Sequence, residues 1–444
     1  MSQYRPVSLR PTLGKLIEMH VVETFSEYLL ANGFIGEEQY AYIPGRGTER
    51  CLLDFMDGIY AGVDRGDAVL TVFMDLTKAF DVLQVGTLIT LLTEVGVSKN
   101  MINWFRSYLE DREMRVKLGG DIGDPMVISN GVQQGSNLGP LLFLVYVRKM
   151  KDCLKHCTIH GFADDWEITS THSNAAIALT HLQEDFGRIT KVMHDLGLIL
   201  NVKKTVLMSF RTPQRENREY EVVAHCCECV NTGQGHGGCQ PIRQVKENRY
   251  LGMVINETLK WDSHVDRVIA RVRRGVGALS LVSRSLSESV RLIVFHAVVQ
   301  AHLSYGVALY GGAPSSTLEP LNVLQRRGLR AVLGVATGDI HNVELLRMGL
   351  GKGVASIRQM RWRSLLACTD DWVGYLAPYC HRRGTRGDGQ WFEVPRSRTL
   401  IGERARSHLL PKFFNLLGGT RVEGFLRAGW GERKNIIYRL INEY

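Results

Sequence analysis

Hydrophobic and polar positions change their spacing several times along the chain, and each change marks an expected element. Lys15 to Asn32 reads as an amphipathic helix, and Ala68 to Leu76 (AVLTVFMDL) as a short apolar run holding one acid. Val82 to Glu110 reads as helices that end in the aromatic segment Trp104-Phe105-Arg106-Ser107-Tyr108. Val127 to Val132 is strand-like, after which Gly135, Gly139 and Pro140 punctuate a turn into an apolar helix. His160 to Thr169 alternates around an Asp pair, the pattern of a hairpin. Asn174 to Leu196 predicts a long helix, and residues 198–208 and 219–256 predict strands. Beyond about Asn256 helices dominate and arginines cluster; a second shift near Gly351 leads into a stretch rich in Arg, Gly and Trp. Mixed strands and helices followed by a helical module fit an α+β catalytic domain with a helical domain behind it.

The length of 444 residues implies two to four domains. Fifty-four Lys and Arg against 45 Asp and Glu leave a net charge of +9, which admits a polyanionic partner and says nothing about fold. The longest apolar run, Leu138 to Val147, is about half of the roughly 20 residues that a membrane span needs. Arg5 and Arg10 lead into a mixed amphipathic stretch instead of an apolar leader, so a soluble intracellular protein is expected, with no membrane partner. The nine cysteines are mostly scattered, unlike a secreted disulfide framework, except at Cys226, Cys227, Cys229 and Cys239.

Candidate chemistry centres on acids. Asp75 ends one apolar strand, and Asp164 with Asp165 sits in Gly161-Phe162-Ala163-Asp164-Asp165-Trp166. Adjacent carboxylates repel, and burying both charged is costly unless a cation lies between them. Three carboxylates arriving from two strands would make a hard-oxygen site suited to Mg²⁺. An Asp pair alone is a weak signal, because surface turns carry many.

The surrounding segments make the signal specific. Phe73-Met74-Asp75-Leu76-Thr77-Lys78-Ala79-Phe80-Asp81 resembles the reverse-transcriptase segment bearing the first catalytic aspartate. Gly131-Val132-Gln133-Gln134-Gly135-Ser136 with Leu138-Gly139-Pro140-Leu141-Leu142-Phe143 is similar to the segment that cradles nucleotide and template. Phe162-Ala163-Asp164-Asp165 is similar to the paired-aspartate hairpin in its non-LTR form, and Gly197-Leu198, Asn201 and Lys204-Thr205 to the segment that follows. Tyr250-Leu251-Gly252 resembles the primer-grip hairpin, and Tyr4-Arg5-Pro6-Val7-Ser8-Leu9 a fingers strand. Trp104-Phe105 with Ser107-Tyr108-Leu109, His302-Leu303-Ser304-Tyr305-Gly306, Leu324-Gln325-Arg326-Arg327 and Phe392 with Val394-Pro395-Arg396 resemble connecting and C-terminal segments of jockey-like elements.

This resemblance to the reverse transcriptases of non-LTR (LINE-type) retrotransposons implies a right-hand fold. Fingers and palm would occupy residues 1–256, a helical thumb 257–345, and a basic C-terminal segment 346–444. It implies RNA-directed addition of deoxynucleotides to a DNA 3′-hydroxyl, with RNA template, DNA primer and deoxynucleoside triphosphates as partners. In this family the nicked target DNA is the primer, which places the protein in cytoplasm and nucleus during transposition. Asp75 and Asp164 would hold two Mg²⁺ ions, with Asp165 in support and the Leu76 carbonyl as a further donor. Phe80 takes the place of the aromatic that blocks a ribose 2′-hydroxyl, which disfavours the rival reading as an RNA-dependent RNA polymerase. Gln134 and Gly135 would shape the nucleotide pocket, Arg5 would meet nucleotide phosphates, and Lys204 would protonate the leaving pyrophosphate. A non-catalytic nucleic-acid-binding remnant of such an element is the alternative.

The chain departs from the family pattern at Gln133, Asn137, Arg148-Lys149, Ile43 and Asn256, none of them an expected metal ligand. The first fingers strand and the N-terminal endonuclease of the family are not found, so an incomplete element copy or a partial gene model is expected. Cys226, Cys229, His236 and Cys239, spaced C-x₂-C-x₆-H-x₂-C, are candidate Zn²⁺ ligands, against a flexible reduced loop as the alternative. Gly349-Leu350-Gly351-Lys352-Gly353 lacks Walker spacing and reads as a loop. Leu321 to Gly334 predicts a helix with Leu321, Leu324, Gly328, Ala331 and Val332 on one face. Arg326, Arg327 and Arg330 fall on the opposite face, as candidates to hold the nucleic-acid backbone.

Overall fold

A computed structural model describes residues 8–225, 239–369, 392, 394–416, 436 and 441. The chain divides into two compact units. The first holds Met1–Cys51, Ala68–Ser209 and Arg218–Val245; the second holds Leu52–Asp67, Phe210–Asn217 and Lys246–Tyr444.

The first unit is built on a five-stranded sheet. Its strands are β1 (Ala68–Met74), β2 (Thr158–Phe162), β3 (Asp165–His172), β4 (Val206–Phe210) and β5 (Arg243–Gln244), in the order β5-β4-β1-β3-β2. Strand β1 is central, and every residue after Ala68 is buried, which explains why its sequence is a continuous apolar run instead of an alternation. It pairs antiparallel with β3, from Ala68 opposite His172 to Met74 opposite Trp166. The hairpin β2–β3 closes with Phe162 opposite Asp165. Gly161 faces Trp166 across this hairpin, and a Cβ on Gly161 would lie 2.5 Å from the indole ring. The helix Ala175–Asp195 packs against β1 and β3 through Ala178, Leu182, Phe186, Ile189 and Met193. Asn174 caps it by accepting the Ala176 N–H at 2.9 Å.

The helix Leu138–Val147 is buried all round except at Pro140, as its unbroken apolar sequence requires. The helix Thr12–Ala31 lies against it and departs from the expected amphipathic pattern. Leu13, Leu16, Ile17 and Met19 are exposed, whereas Glu18 is 1% exposed. The inversion has a local cause. Glu18 accepts hydrogen bonds from the Tyr108 hydroxyl (2.7 Å) and the Asn137 N–H (2.8 Å), and it pairs with Arg10. Its carboxylate thereby satisfies an orphan donor at the start of Leu138–Val147.

Other expectations shift at their edges. Val82 to Glu110 resolves into the helices Val85–Glu94 and Lys99–Leu109. The strand expected over Val127–Val132 shortens to Met126–Ile128, paired with Arg112–Met114. Residues 198–205 form no strand and contribute one bridge, Leu200 to Leu76, before β4 begins.

In the second unit, Asp262–Val282 packs along Ser315–Leu333. The seam is formed by Val272, Val276, Leu321, Leu324, Gly328 and Val332, all buried. A Cβ on Gly328 would come within 2.8 Å of Phe295 and 3.2 Å of Val276, so glycine sets the closeness of this packing. The expected helix start at Leu321 is six residues late, because Pro320 reads as a breaker yet sits inside the helix. Its end is as expected: Gly334 at φ +72° donates to the Arg330 carbonyl. The loop expected at Gly349–Gly353 is corrected in part. Gly349 to Gly351 close the helix Asn342–Gly351, since Gly349 packs on Leu329 and has no room for a side chain. Arg406 is buried and pairs with Asp57 at 2.5 Å and with Asp54, which ties the segment Ser397–Arg406 to the helix Thr48–Arg65.

Candidate active site

The first aspartate stands where β1 stops being paired by the sheet and starts being paired by the segment 199–205. The Thr77 N–H donates to the Ile199 carbonyl (2.9 Å), and the Asn201 N–H donates to the Asp75 carbonyl (2.8 Å). The Asp75 N–H donates to the Thr205 hydroxyl (3.3 Å). With its main chain fixed on that side, Asp75 carries a half-buried side chain, and Lys204 Nζ lies 3.7 Å from its Oδ2.

The second and third aspartates come from the turn of β2–β3. Ala163 takes φ +56°, a left-handed conformation that non-glycine residues seldom adopt. Its N–H donates to Gln39 Oε1 at 3.0 Å, and the same oxygen receives the N–H groups of Tyr40 (3.1 Å) and Ala41 (3.0 Å). The segment 38–40 is also laid along β2, with Gly161 N–H donating to Glu38 (2.8 Å) and Tyr40 N–H donating to Gly161 (2.9 Å). A buried glutamine 124 positions away therefore sets the height of the aspartate turn. Tyr42, at φ +58°, faces this turn; burial, and then the charge of Asp164, push its hydroxyl pKa up.

A third wall comes from residues 131–135. Gly131 N–H donates to Leu83 (2.7 Å) and Val132 N–H to Phe80 (2.9 Å). Gly131 takes φ +79°, and a Cβ there would lie 2.7 Å from the Asp81 carbonyl. This close approach brings Gln134 Nε2 within 2.8 Å of Asp81 Oδ1. The Phe80 ring stacks on buried Phe143, centroids 4.4 Å apart at 22°. Gly135, at φ +101°, is exposed.

These three walls enclose one cavity of about 780 Å³. Asp75, Asp164 and Asp165 line it together with Lys204; Leu76, Phe80, Gln134 and Gly135 line it as well. All the residues that line the cavity belong to the first unit. The sequence reading missed Gln39 and Tyr42, which carry no local signal and matter through contacts distant in sequence, and it gave Asp81 no role within its segment. Among the described residues no three ligand-type side chains close on a single point. The donor set nonetheless suits a hard cation: three carboxylates share a cavity, and Lys204 beside Asp75 offsets part of their mutual repulsion.

The other expected site residues lie elsewhere. Arg5, Cys226, Cys229 and His236 fall outside the described residues; Cys239 Sγ lies 3.4 Å from His225 Nδ1. Tyr250, Leu251 and Gly252 belong to the second unit, in the hairpin Glu247–Tyr250 with Met253–Asn256. Of the three arginines on Ser315–Leu333, Arg326 pairs with Glu319 at 2.6 Å and Arg330 donates to Asn342 at 2.8 Å, whereas Arg327 is exposed. No helix among the described residues is long and apolar enough to cross a membrane.

The chain is similar in sequence to known proteins. The family described as "Reverse transcriptase (RNA-dependent DNA polymerase)" matches residues 1–255. The chain is 25% identical over 343 residues to the "Probable RNA-directed DNA polymerase from transposon X-element" of Drosophila melanogaster, covering 75% of this chain and 36% of that protein. It is 24% identical over 345 residues to the "RNA-directed DNA polymerase from mobile element jockey" of the same organism, covering 75% and 36%. The chain thus spans about a third of the length of these relatives. Among solved structures, apo telomerase from Candida tropicalis is similar at a TM-score of 0.41 and 14% identity, over 96% of this chain and 61% of that one.

Proposed function

The chain belongs to the reverse transcriptase family, and from that premise we propose that its first unit catalyses RNA-templated addition of deoxynucleotides to a DNA 3′-hydroxyl. The observation that carries this reading is the single cavity in which Asp75, Asp164 and Asp165 meet Phe80, Gln134 and Gly135. In the reaction the 3′-oxygen forms a bond to the α-phosphorus, the bond from that phosphorus to the α,β-bridging oxygen breaks, and pyrophosphate leaves. Two Mg²⁺ ions, when bound, supply the charge neutralisation that such a transfer needs.

The shared cavity supports the roles proposed for the groups that line it. Asp75 and Asp164 would hold these ions, with Asp165 in support and the Leu76 carbonyl as a further oxygen. Lys204 holds the proton that the departing pyrophosphate receives, and its position beside Asp75 keeps it at the reacting end of the cavity. Phe80, braced by Phe143, presents a flat apolar face where a ribose 2′-hydroxyl would have to sit. Gly135 lets the nucleotide approach main chain. Tyr250-Leu251-Gly252 contacts the primer, and Arg326, Arg327 and Arg330 supply sequence-blind contacts to phosphates. The elements served are of the non-LTR kind, with nicked target DNA as primer.

The test is primer extension by the purified chain on poly(rA)/oligo(dT) with Mg²⁺. Extension that stops with chelator and resumes with added Mg²⁺ is expected. Tight binding of the primer–template without extension, in Mg²⁺ or Mn²⁺, would overturn the catalytic reading in favour of a binding remnant.

A further inference from the structure

The hairpin Glu247–Tyr250 with Met253–Asn256 reverses through two residues, Leu251 at φ +43° and Gly252 at φ +82°. Two left-handed residues in succession are what a tight hairpin with normal strand twist requires. Glycine suits that conformation, but leucine is disfavoured in it. Such a turn keeps its shape only where surrounding contacts impose it.

The base of the hairpin is held by its strands. Tyr250 is buried against Phe55, with ring centroids 5.7 Å apart, and the Val254 N–H donates to His264 Nδ1 at 3.2 Å. The turn itself meets Tyr305, more than fifty positions further along the chain. The Tyr305 hydroxyl donates to the Leu251 carbonyl. Its ring covers Gly252 so closely that a Cβ there would lie 3.2 Å from Cε1. The neighbouring Gly306, at φ +69°, completes the fit, because Met253 Sδ occupies the space 2.3 Å from where its Cβ would be. Tyr305-Gly306 and Leu251-Gly252-Met253 therefore interlock as two complementary surfaces. Leu251 and Gly252 remain half-exposed, so the pinned turn is still open to a ligand.

We propose that Tyr305 is a positioning residue: it fixes the Leu251-Gly252 turn so that the turn holds the sugar–phosphate backbone at the 3′ end of the primer. The inference rests on the reading of Tyr250-Leu251-Gly252 as the primer contact. A hydrogen bond to a main-chain carbonyl suits this task, because it sets the plane of the turn without covering its outer surface. Tyr305 touches no reacting atom and acts through the turn alone.

The experiment uses the full chain with a DNA primer on an RNA template, the primer carrying 2-aminopurine at its 3′ terminus. Tyr305→Phe keeps the ring and removes the hydroxyl; Gly252→Ala alters the turn directly. For Tyr305→Phe, loss of one hydrogen bond should weaken use of the primer end by about five- to tenfold. The terminal fluorescence should shift, with overall duplex affinity and the KM for deoxynucleotide nearly unchanged. Gly252→Ala should produce the same signature more strongly. A normal primer terminus in Tyr305→Phe beside a disturbed one in Gly252→Ala would overturn the role of Tyr305 and leave the primer contact standing. A normal terminus in Gly252→Ala would overturn the primer-contact reading, and the proposal with it.

Discussion

Gln39→Leu offers a sharp test of how the aspartate turn is held. Gln39 Oε1 accepts three main-chain N–H groups, those of Tyr40, Ala41 and Ala163. Tyr40 keeps a second acceptor in the Gly161 carbonyl at 2.9 Å, so leucine would strand two donors, Ala41 and Ala163. An orphaned buried donor costs about 1–3 kcal/mol. Against this, Gln39 Nε2 is itself buried without a partner among the described residues, and leucine removes that penalty. The net loss is about 2 kcal/mol, two such penalties less one. Ala163 has most to lose, since its φ of +56° is unfavourable without a bond to hold it. A shift of the turn by about 1 Å would misplace Asp164 and lower the rate about a hundredfold. Urea unfolding gives the first quantity, and single-turnover incorporation at saturating primer–template and nucleotide gives the second. Unchanged stability together with an unchanged rate would refute the reasoning. Lost stability with a full rate would show that the turn keeps its place without Gln39.

Asp75→Asn should abolish extension as completely as the double change with Asp164→Asn, because ligands of one site act as a unit; additive losses in single-turnover assays would separate them. Phe80→Val should raise ribonucleotide incorporation relative to deoxyribonucleotide, and should cost about 1 kcal/mol of stacking with Phe143; unchanged discrimination would make Phe80 a packing residue only. His264 is held near pKa 4 by burial and by Arg271 and Arg267, so the folded chain stays unprotonated while the unfolded chain takes up a proton below its pKa of 6.5. The contribution of His264 to stability should therefore be level above pH 7 and fall by about 3 kcal/mol between pH 6.5 and 4, a component that His264→Asn should remove from the urea midpoints. Arg327→Ala should make log affinity for duplex against log salt shallower by up to about one unit, and Arg326→Ala by less, since Glu319 already neutralises Arg326; equal slopes in both would contradict that ordering.

Sequence alone determined those features whose cause is local. A buried central strand must be apolar throughout, so Ala68–Met74 could be read directly, and the Asp pair in an alternating stretch marked the turn of β2–β3. Asn174 announced a helix start and Gly334 a helix end, because caps satisfy their own main-chain groups. The aspartates, Phe80, Gln134 and Lys204 were legible because their spacing matched a known pattern, and all of them line one cavity. Tertiary structure decided what depends on partners distant in the chain. Glu18 faces inward against its helix's apolar pattern because Tyr108, Arg10 and the Asn137 N–H wait there. Gln39 sits in an undistinguished segment and matters through Ala163, and Leu251 tolerates its left-handed φ where Tyr305 meets it. Periodicity reports which face of an element is dry. It cannot report which buried polar group will be met by a donor brought from a hundred residues away, and that meeting sets the positions of the aspartates.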